Sequence, residues 1–222
     1  MTSRVLSYGR EPLGPDAFAR MLDVSRETMD RLGAYVDLLV RWNRRINLVS
    51  RNTIGDIWRR HILDSAQLYP HIPTRARILV DLGTGAGLPG LVLGILGVPE
   101  VHLVEADNRK VAFLREALRV SGTKAYIHAG RLDRVKPIRA DVVTVRALAP
   151  LVDLVEMSKR FRGLETICLF LKGGQVDAEL TEASQAWNMR IARFPSLSDP
   201  SGCILQLEDI VGHSSSRGND RH

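Results

Sequence analysis

The chain has 222 residues, of which 45% are apolar and 25% charged, and its formal net charge is +6. That length suits one domain with an added segment, and the composition suits a packed globular core. No apolar stretch reaches the roughly 20 residues a membrane helix needs, the N-terminus lacks the apolar run of a secretory signal, and Cys168 and Cys203 sit in apolar runs as reduced core residues, so a cytoplasmic protein is expected.

In chain order, apolar residues recur at helical spacing over 16–45, including Phe18, Met21, Leu22, Leu32, Tyr35, Val36 and Leu39. A second helix is expected over 53–69, closed by Pro70 and Pro73. Trp42 and Trp58 fall at helical spacing in these segments and read as core residues. The pattern then changes to short β-branched runs alternating with helices. Strands are expected at 77–82, 101–105, 125–128, 141–145 and 165–171, with helices at 88–97, 108–121 and 151–161. Such alternation implies βαβ units and a doubly wound, mostly parallel α/β sheet. After Gly173-Gly174 come a helix at 175–188 and strands at 189–194 and 203–210, which suggest an antiparallel hairpin at one sheet edge. The expected organisation is a helical extension over 1–76, a ligand-binding domain over 77–211 and a disordered polar tail over 212–222.

The positive charge is concentrated early. Residues 1–77 hold thirteen arginines against eight acids, and Arg41, Arg44, Arg45, Arg51, Arg59 and Arg60 have only Asp56 among them. A patch of this kind reads either as an electrostatic footprint for nucleic acid or as a solvated helix face. Arginine outnumbers lysine 26 to 5 throughout, so compositional bias accounts for part of it.

The stretch VDLGTGAGLPG, residues 80–90, joins a strand to a helix through Gly83, Gly85 and Gly87. In an open α/β sheet the first such loop lines the ligand crevice, and glycines let a ligand approach bare backbone. One frame, GAGLPG, fits the dinucleotide fingerprint, which keeps an NAD-dependent oxidoreductase as an alternative. The other frame starts from Asp81 and has glycines at alternate positions. It fits loops that hold S-adenosylmethionine (SAM), and an acid there suits a cationic ligand better than a pyrophosphate. Glu105 ends the second strand some twenty residues on, where an acid accepts from both ribose hydroxyls; Asp107 competes for that role or caps the next helix.

Taken together, LVDLGTGAGLPG, WNRRINLVS, RRHILDS and VVTVRALAP resemble the bacterial small-subunit ribosomal RNA guanine-N7 methyltransferases of the RsmG (GidB) type, over residues 35 to about 175. The resemblance implies a Rossmann-like class I SAM fold with an N-terminal helical extension. It also implies methyl transfer from SAM to N7 of a guanine near the decoding centre of 16S rRNA, by a monomer acting on the RNA or the assembled small subunit. Carried over by position, Gly83, Leu88, Leu132, Asp133 and Arg146 are expected cofactor contacts, with Leu88 beside the sulfonium, and the loop and strand-end reading adds Asp81, Gly85, Gly87 and Glu105. Arg146 and Lys172 are the expected catalytic residues, and Arg41, Arg44, Arg45, Arg59 and Arg60 the expected RNA contacts. No metal site is expected. Ala86 stands where the family often has Pro, Glu105 where it often has Asp, and the resemblance fades after residue 175.

N7 of guanine carries a free lone pair, so the reaction needs no general base. No His–carboxylate pair is expected to supply one. His61 is expected to bond Asp64 three residues on, His71 and His102 to lie at the surface, and His128 to take no part. Arg146 is expected to meet guanine O6, a phosphate or the cofactor carboxylate, or else to pair structurally with Asp141 or Asp81. Lys172 is a further candidate for a phosphate.

Overall fold

The computed structural model describes residues 11–213. Of the expected tail 212–222, Gly212 instead ends the last strand and the His213 N–H bonds the Ala186 carbonyl, and the remainder lies outside the described residues. Seven strands form one sheet in the order β3-β2-β1-β4-β5-β7-β6. They are β1 (Ile78–Leu82), β2 (Glu100–Glu105), β3 (Tyr126–Ala129), β4 (Ala140–Arg146), β5 (Arg162–Lys172), β6 (Trp187–Pro195) and β7 (Cys203–Gly212). The first five pair in parallel, and β7 runs antiparallel to both β5 and β6. This is the expected doubly wound sheet with an antiparallel C-terminal edge. Its strand order reverses between β1 and β4, which opens a crevice beyond their carboxyl ends.

Alternate strand residues feed two cores, because successive side chains point to opposite faces. Leu79, Leu103, Val142 and Leu169 face one layer; Val80, Val104, Val143 and Phe170 face the other. The first layer includes α4 (Gly90–Ile95), α5 (Asn108–Ser121) and the N-terminal helices; the second includes α6 (Leu151–Ser158) and α7 (Val176–Ala183). Phe18, Leu32 and Leu39 therefore share a continuous core with Leu79 and Leu103. Cys168 and Cys203 are free thiols, both buried.

The expected helix 16–45 is two helices, α1 (Pro15–Leu22) and α2 (Arg26–Asn43). Asp23 takes a left-handed conformation that ends α1, and the Ser25 hydroxyl accepts from the Thr28 N–H to start α2. Trp42 and Trp58 are half-buried, with ring centroids 5.7 Å from Phe113 and 5.4 Å from Phe18 respectively. The expected helix 53–69 is not regular either. A 3-10 segment (Arg51–Asp56) runs into a π-helical turn (Trp58–Leu63) and then one short α turn, α3 (Asp64–Ala66). Gly55 weakens the helix, and tertiary anchors override its period. Asp56 is tied to the Leu13 N–H and to Arg59, while Thr53 and His61 hydrogen-bond each other. The expected helix 175–188 ends at Ala183, and the expected 88–97 helix spans only 90–95.

Candidate active site

The loop after β1 is held from three sides. Gly83, Gly85 and Gly87 all lie in the left-handed region (φ 64°, 58° and 89°), which the alternating glycines make accessible. Beneath the loop, Asp81 is fully buried. It accepts from the Thr84 hydroxyl, from the Gly90 N–H (2.9 Å) and from the Thr144 hydroxyl on the neighbouring strand (2.8 Å). From the second strand, Glu105 accepts the Gly85 N–H through Oε2 and the Asp107 N–H through Oε1, both at 2.8 Å. From α2, the buried Tyr35 hydroxyl donates to the Ala86 carbonyl (2.7 Å).

These contacts change several expected roles. Asp81 does not face the crevice; its carboxylate holds the loop down. Burial pushes its carboxyl up to about 6 against the three donors, and Arg146 pulls it lower. Leu88 is 3% exposed and belongs to the core, so it does not lie open beside a sulfonium. Gly90, the last residue of LPG, must be glycine for packing. A Cβ there would stand 2.6 Å from the Asp81 Cβ and 2.6 Å from a Leu103 methyl. Asp107 caps α5 by accepting the Arg109 N–H, and hydrogen bonds from Arg109 draw its carboxyl down to about 2. This leaves Glu105 as the acid at the strand end.

Gly85 has open space where a Cβ would stand, with nothing nearer than the Gly83 carbonyl oxygen at 3.9 Å. Each Glu105 oxygen keeps a free lone pair, since a carboxylate has about four acceptor sites. The segment after β3 joins this side of the crevice, because the Gly130 N–H bonds the Glu105 carbonyl (2.9 Å). It brings half-buried Leu132 and exposed Asp133 to the rim, where Asp133 pairs with Arg131 (3.4 Å). Bare glycine backbone beside a carboxylate able to accept two hydroxyls is a donor and acceptor set that fits an adenosyl cofactor with a ribose diol. Leu148 leans over Gly83, with a methyl 2.7 Å from where a Cβ would be.

Beyond β4 and β5 lies a second cavity of about 480 Å3. Arg146 enters it from the end of β4 and Lys172 from the end of β5. The irregular helical segment supplies Arg60, His61 and Asp64, and the loop between β6 and β7 supplies Ser196, Ser198 and Asp199. Arg146 pairs with neither Asp141 nor Asp81. Its Nη1 donates to His61 Nδ1 (3.0 Å) and lies 3.4 Å from the Asp64 carboxylate. His61 therefore does not bond Asp64; both converge on Arg146. An arginine can only donate, so His61 Nδ1 accepts and its Nε2–H donates to Thr53 (2.7 Å), which donates to the Ser50 carbonyl (2.7 Å). Burial, then the charges of Arg146 and Arg60, push the imidazole down to about 3, so the ring is neutral at any ordinary pH.

Lys172 is only 9% exposed and is not free for a phosphate. It pairs with Glu179 (2.5 Å) and donates to the Ala149 carbonyl (3.1 Å), while the same Glu179 oxygen accepts the Leu151 N–H (2.7 Å). Lys172 and Glu179 thus clamp the turn 146–151 that carries Arg146 and Leu148. Of the five arginines expected at RNA, Arg59 is tied to Asp56 and to the Glu11 carbonyl, and Arg60 to Asp199 (2.8 Å). Arg41, Arg44 and Arg45 are exposed and form no ion pair among the described residues. His102, expected at the surface, is buried between Glu100 and His128.

Tyr35, Asp64, Glu179, Ser198 and Asp199 are site residues that sequence reasoning did not assign. Only Asp64 carried a signal, as part of RRHILDS. Tyr35, Ser198 and Asp199 meet their partners across long stretches of chain, and Glu179, though close to Lys172 in sequence, carries no local mark of that pairing.

The sheet order, the glycine loop and the acid at the end of β2 define a class I SAM-dependent methyltransferase fold. Solved structures agree at the level of fold. An O-methyltransferase described as putative, from Klebsiella pneumoniae, superposes with a TM-score of 0.59 at 13% identity over 88% of this chain and 96% of that one. A variant of MtNAS in complex with S-adenosylmethionine gives a TM-score of 0.54 at 15% identity over 88% and 84%. The family model for GidB, rRNA small subunit methyltransferase G, matches residues 28–200. A protein named ribosomal RNA small subunit methyltransferase G from Rhodospirillum rubrum is 55% identical over 88% of this chain and 98% of its own length. One of the same name from Parvibaculum lavamentivorans is 43% identical over 96% of each. The chain belongs to the rRNA small subunit methyltransferase G family, and the NAD-dependent alternative falls away.

Proposed function

We propose that this protein transfers the methyl group of SAM to N7 of a guanine in 16S rRNA, the guanine near the decoding centre that the family resemblance implies. It works as a cytoplasmic monomer on the RNA or the assembled small subunit. Among the described residues no helix is long and apolar enough to cross a membrane. Gly83, Gly85, Gly87 and Glu105 would hold the cofactor, with Leu132 and Asp133 at its rim. Bound there, SAM supplies an electrophilic methyl on a sulfonium.

The observation that carries this reading is the cavity beside that crevice. It pairs Arg146, Arg60 and Lys172 with Asp64, Asp199 and Glu179, and its one imidazole is locked as a neutral acceptor for Arg146. Each of these carboxylates is engaged by a cation, and N7 has no proton to lose. The chain's task is then to place N7 in line with the methyl and sulfur, which contributes several kcal/mol and up to about 7–11 in favourable cases. Arg146 suits guanine O6 or a nearby phosphate. Placed against N7 itself, its charge would oppose the cationic product. The Lys172–Glu179 clamp positions Arg146.

The test maps methylated guanines in 16S rRNA from cells with and without the protein, and measures melting of the pure protein with S-adenosylhomocysteine or NAD. A single guanine losing N7 methylation, with stabilisation by S-adenosylhomocysteine alone, is expected. An unchanged methylation map, or stabilisation by NAD alone, would overturn the assignment.

A further inference from the structure

The target cavity does not end at residue 48. Its wall residues Leu48, Val49 and Ser50 also line a shallow groove along 43–52. That groove in turn shares Arg45 and Ile46 with a third depression of about 510 Å3, whose floor is Leu38, Trp42 and Ile46 and whose rim is Arg41, Arg44 and Arg45. The three adjoin as a track, each sharing lining residues with the next. No acid occurs between residues 38 and 55. Arg41, Arg44, Arg45 and Arg51 are exposed along the track and make no ion pair among the described residues, although Glu116, paired with Arg119, feels the charge of Arg41.

The ledge is rigid. Buried Asn43 accepts the N–H groups of both Leu48 and Val49 (2.9 Å each), and the Trp42 carbonyl accepts those of Arg45 and Ile46. Trp42 is braced edge-on by Phe113 and lines the far depression.

We infer that this track seats a single-stranded RNA segment that flanks the target nucleotide. Its phosphates lie on Arg41, Arg44, Arg45 and Arg51, and one unstacked base rests on the floor of Leu38, Trp42 and Ile46. The inference rests on the RNA-modifying reading above. An apolar floor rimmed by unpaired guanidinium groups matches a chain of anionic links carrying flat apolar faces. A duplex hides those faces, and an acidic peptide lacks them.

The full chain is titrated with a short unstructured oligouridine over a range of salt, following tryptophan emission. The Arg44→Gln/Arg45→Gln double variant should show a shallower slope of log affinity against log salt, by about 1.4 for two lost single-strand phosphate contacts, and a raised KM for RNA. Trp42→Phe, which keeps a ring against Phe113, should abolish the quench. Arg190→Gln/Arg193→Gln, on β6, serves as a control and should leave slope and quench unchanged. An unchanged slope in the double variant, a quench that survives Trp42→Phe, or equal competition by duplex RNA or polyglutamate would overturn the track. Binding as stated, in a protein that methylates no RNA, would uphold the track and remove the activity proposed above.

Discussion

Tyr35→Phe tests whether α2 is part of the cofactor site. The substitution removes one oxygen and leaves the ring against Phe113, with centroids 6.3 Å apart. What is lost is a buried 2.7 Å hydrogen bond that holds the glycine loop at Ala86. A net hydrogen bond contributes about 0.5–1.5 kcal/mol, and a carbonyl left unsatisfied in the interior costs about 1–3, so a loss of roughly 1–2 kcal/mol follows. For a chain of this size that lowers Tm by about 2–8 °C. Because the bond ends on the loop itself, the variant should also bind S-adenosylhomocysteine about three- to tenfold more weakly by titration calorimetry. A melting point within one degree of wild type together with an affinity within twofold would show that the loop stands without α2.

Asp81 and His61 should tilt the pH dependence of stability in opposite directions. Asp81 is raised from 3.8 to about 6, so the folded state holds its proton more tightly and stability falls as pH rises from about 4 through 6. His61 is lowered from 6.5 to about 3, so stability falls as pH drops from about 6.5 towards 3. In urea unfolding between pH 4 and 7, Asp81→Asn should remove the first slope and His61→Asn the second; slopes changed in the same sense would refute both assignments. Lys172→Met and Glu179→Gln should each lower methyl transfer, and the double variant should lose little more than the worse single, because they form one clamp. A severe Lys172 effect beside a neutral Glu179 effect would return Lys172 to direct substrate contact. Gly90→Ala should destabilise by about 1–3 kcal/mol or more through its clash with Asp81 and Leu103, whereas Gly85→Ala carries only left-handed backbone strain of about 1–2 kcal/mol. Equal melting points for the two would contradict the packing described.

What the sequence disclosed depends on how local each signal is. α5 was legible to the residue because Asp107 caps its start and Gly122 takes the left-handed position at its end. The break between α1 and α2 was also written locally, in Ser25 and Thr28, but the apolar period runs straight across it. The segment 51–66 could not be read as irregular, since the contacts that distort it reach Leu13, Arg146 and Asp199 from far along the chain. Gly83, Gly85, Gly87 and Glu105 stood out because a turn and a strand end fix them within a short span. Asp81 and Leu88 lie in the same motif, yet their burial depends on Thr144 and the first core layer, so their direction was invisible. Lys172 carried a signal for position and none for its partner, because Glu179 sits a helical turn into α7.

The loop between β6 and β7 has a consequence in time. Residues 83–133, which form the cofactor crevice, leave the ribosome well before Ser196, Ser198 and Asp199, which wall the second cavity. That wall of the second cavity is therefore synthesised after every strand and loop that shapes the glycine crevice, Thr144 and Leu148 included.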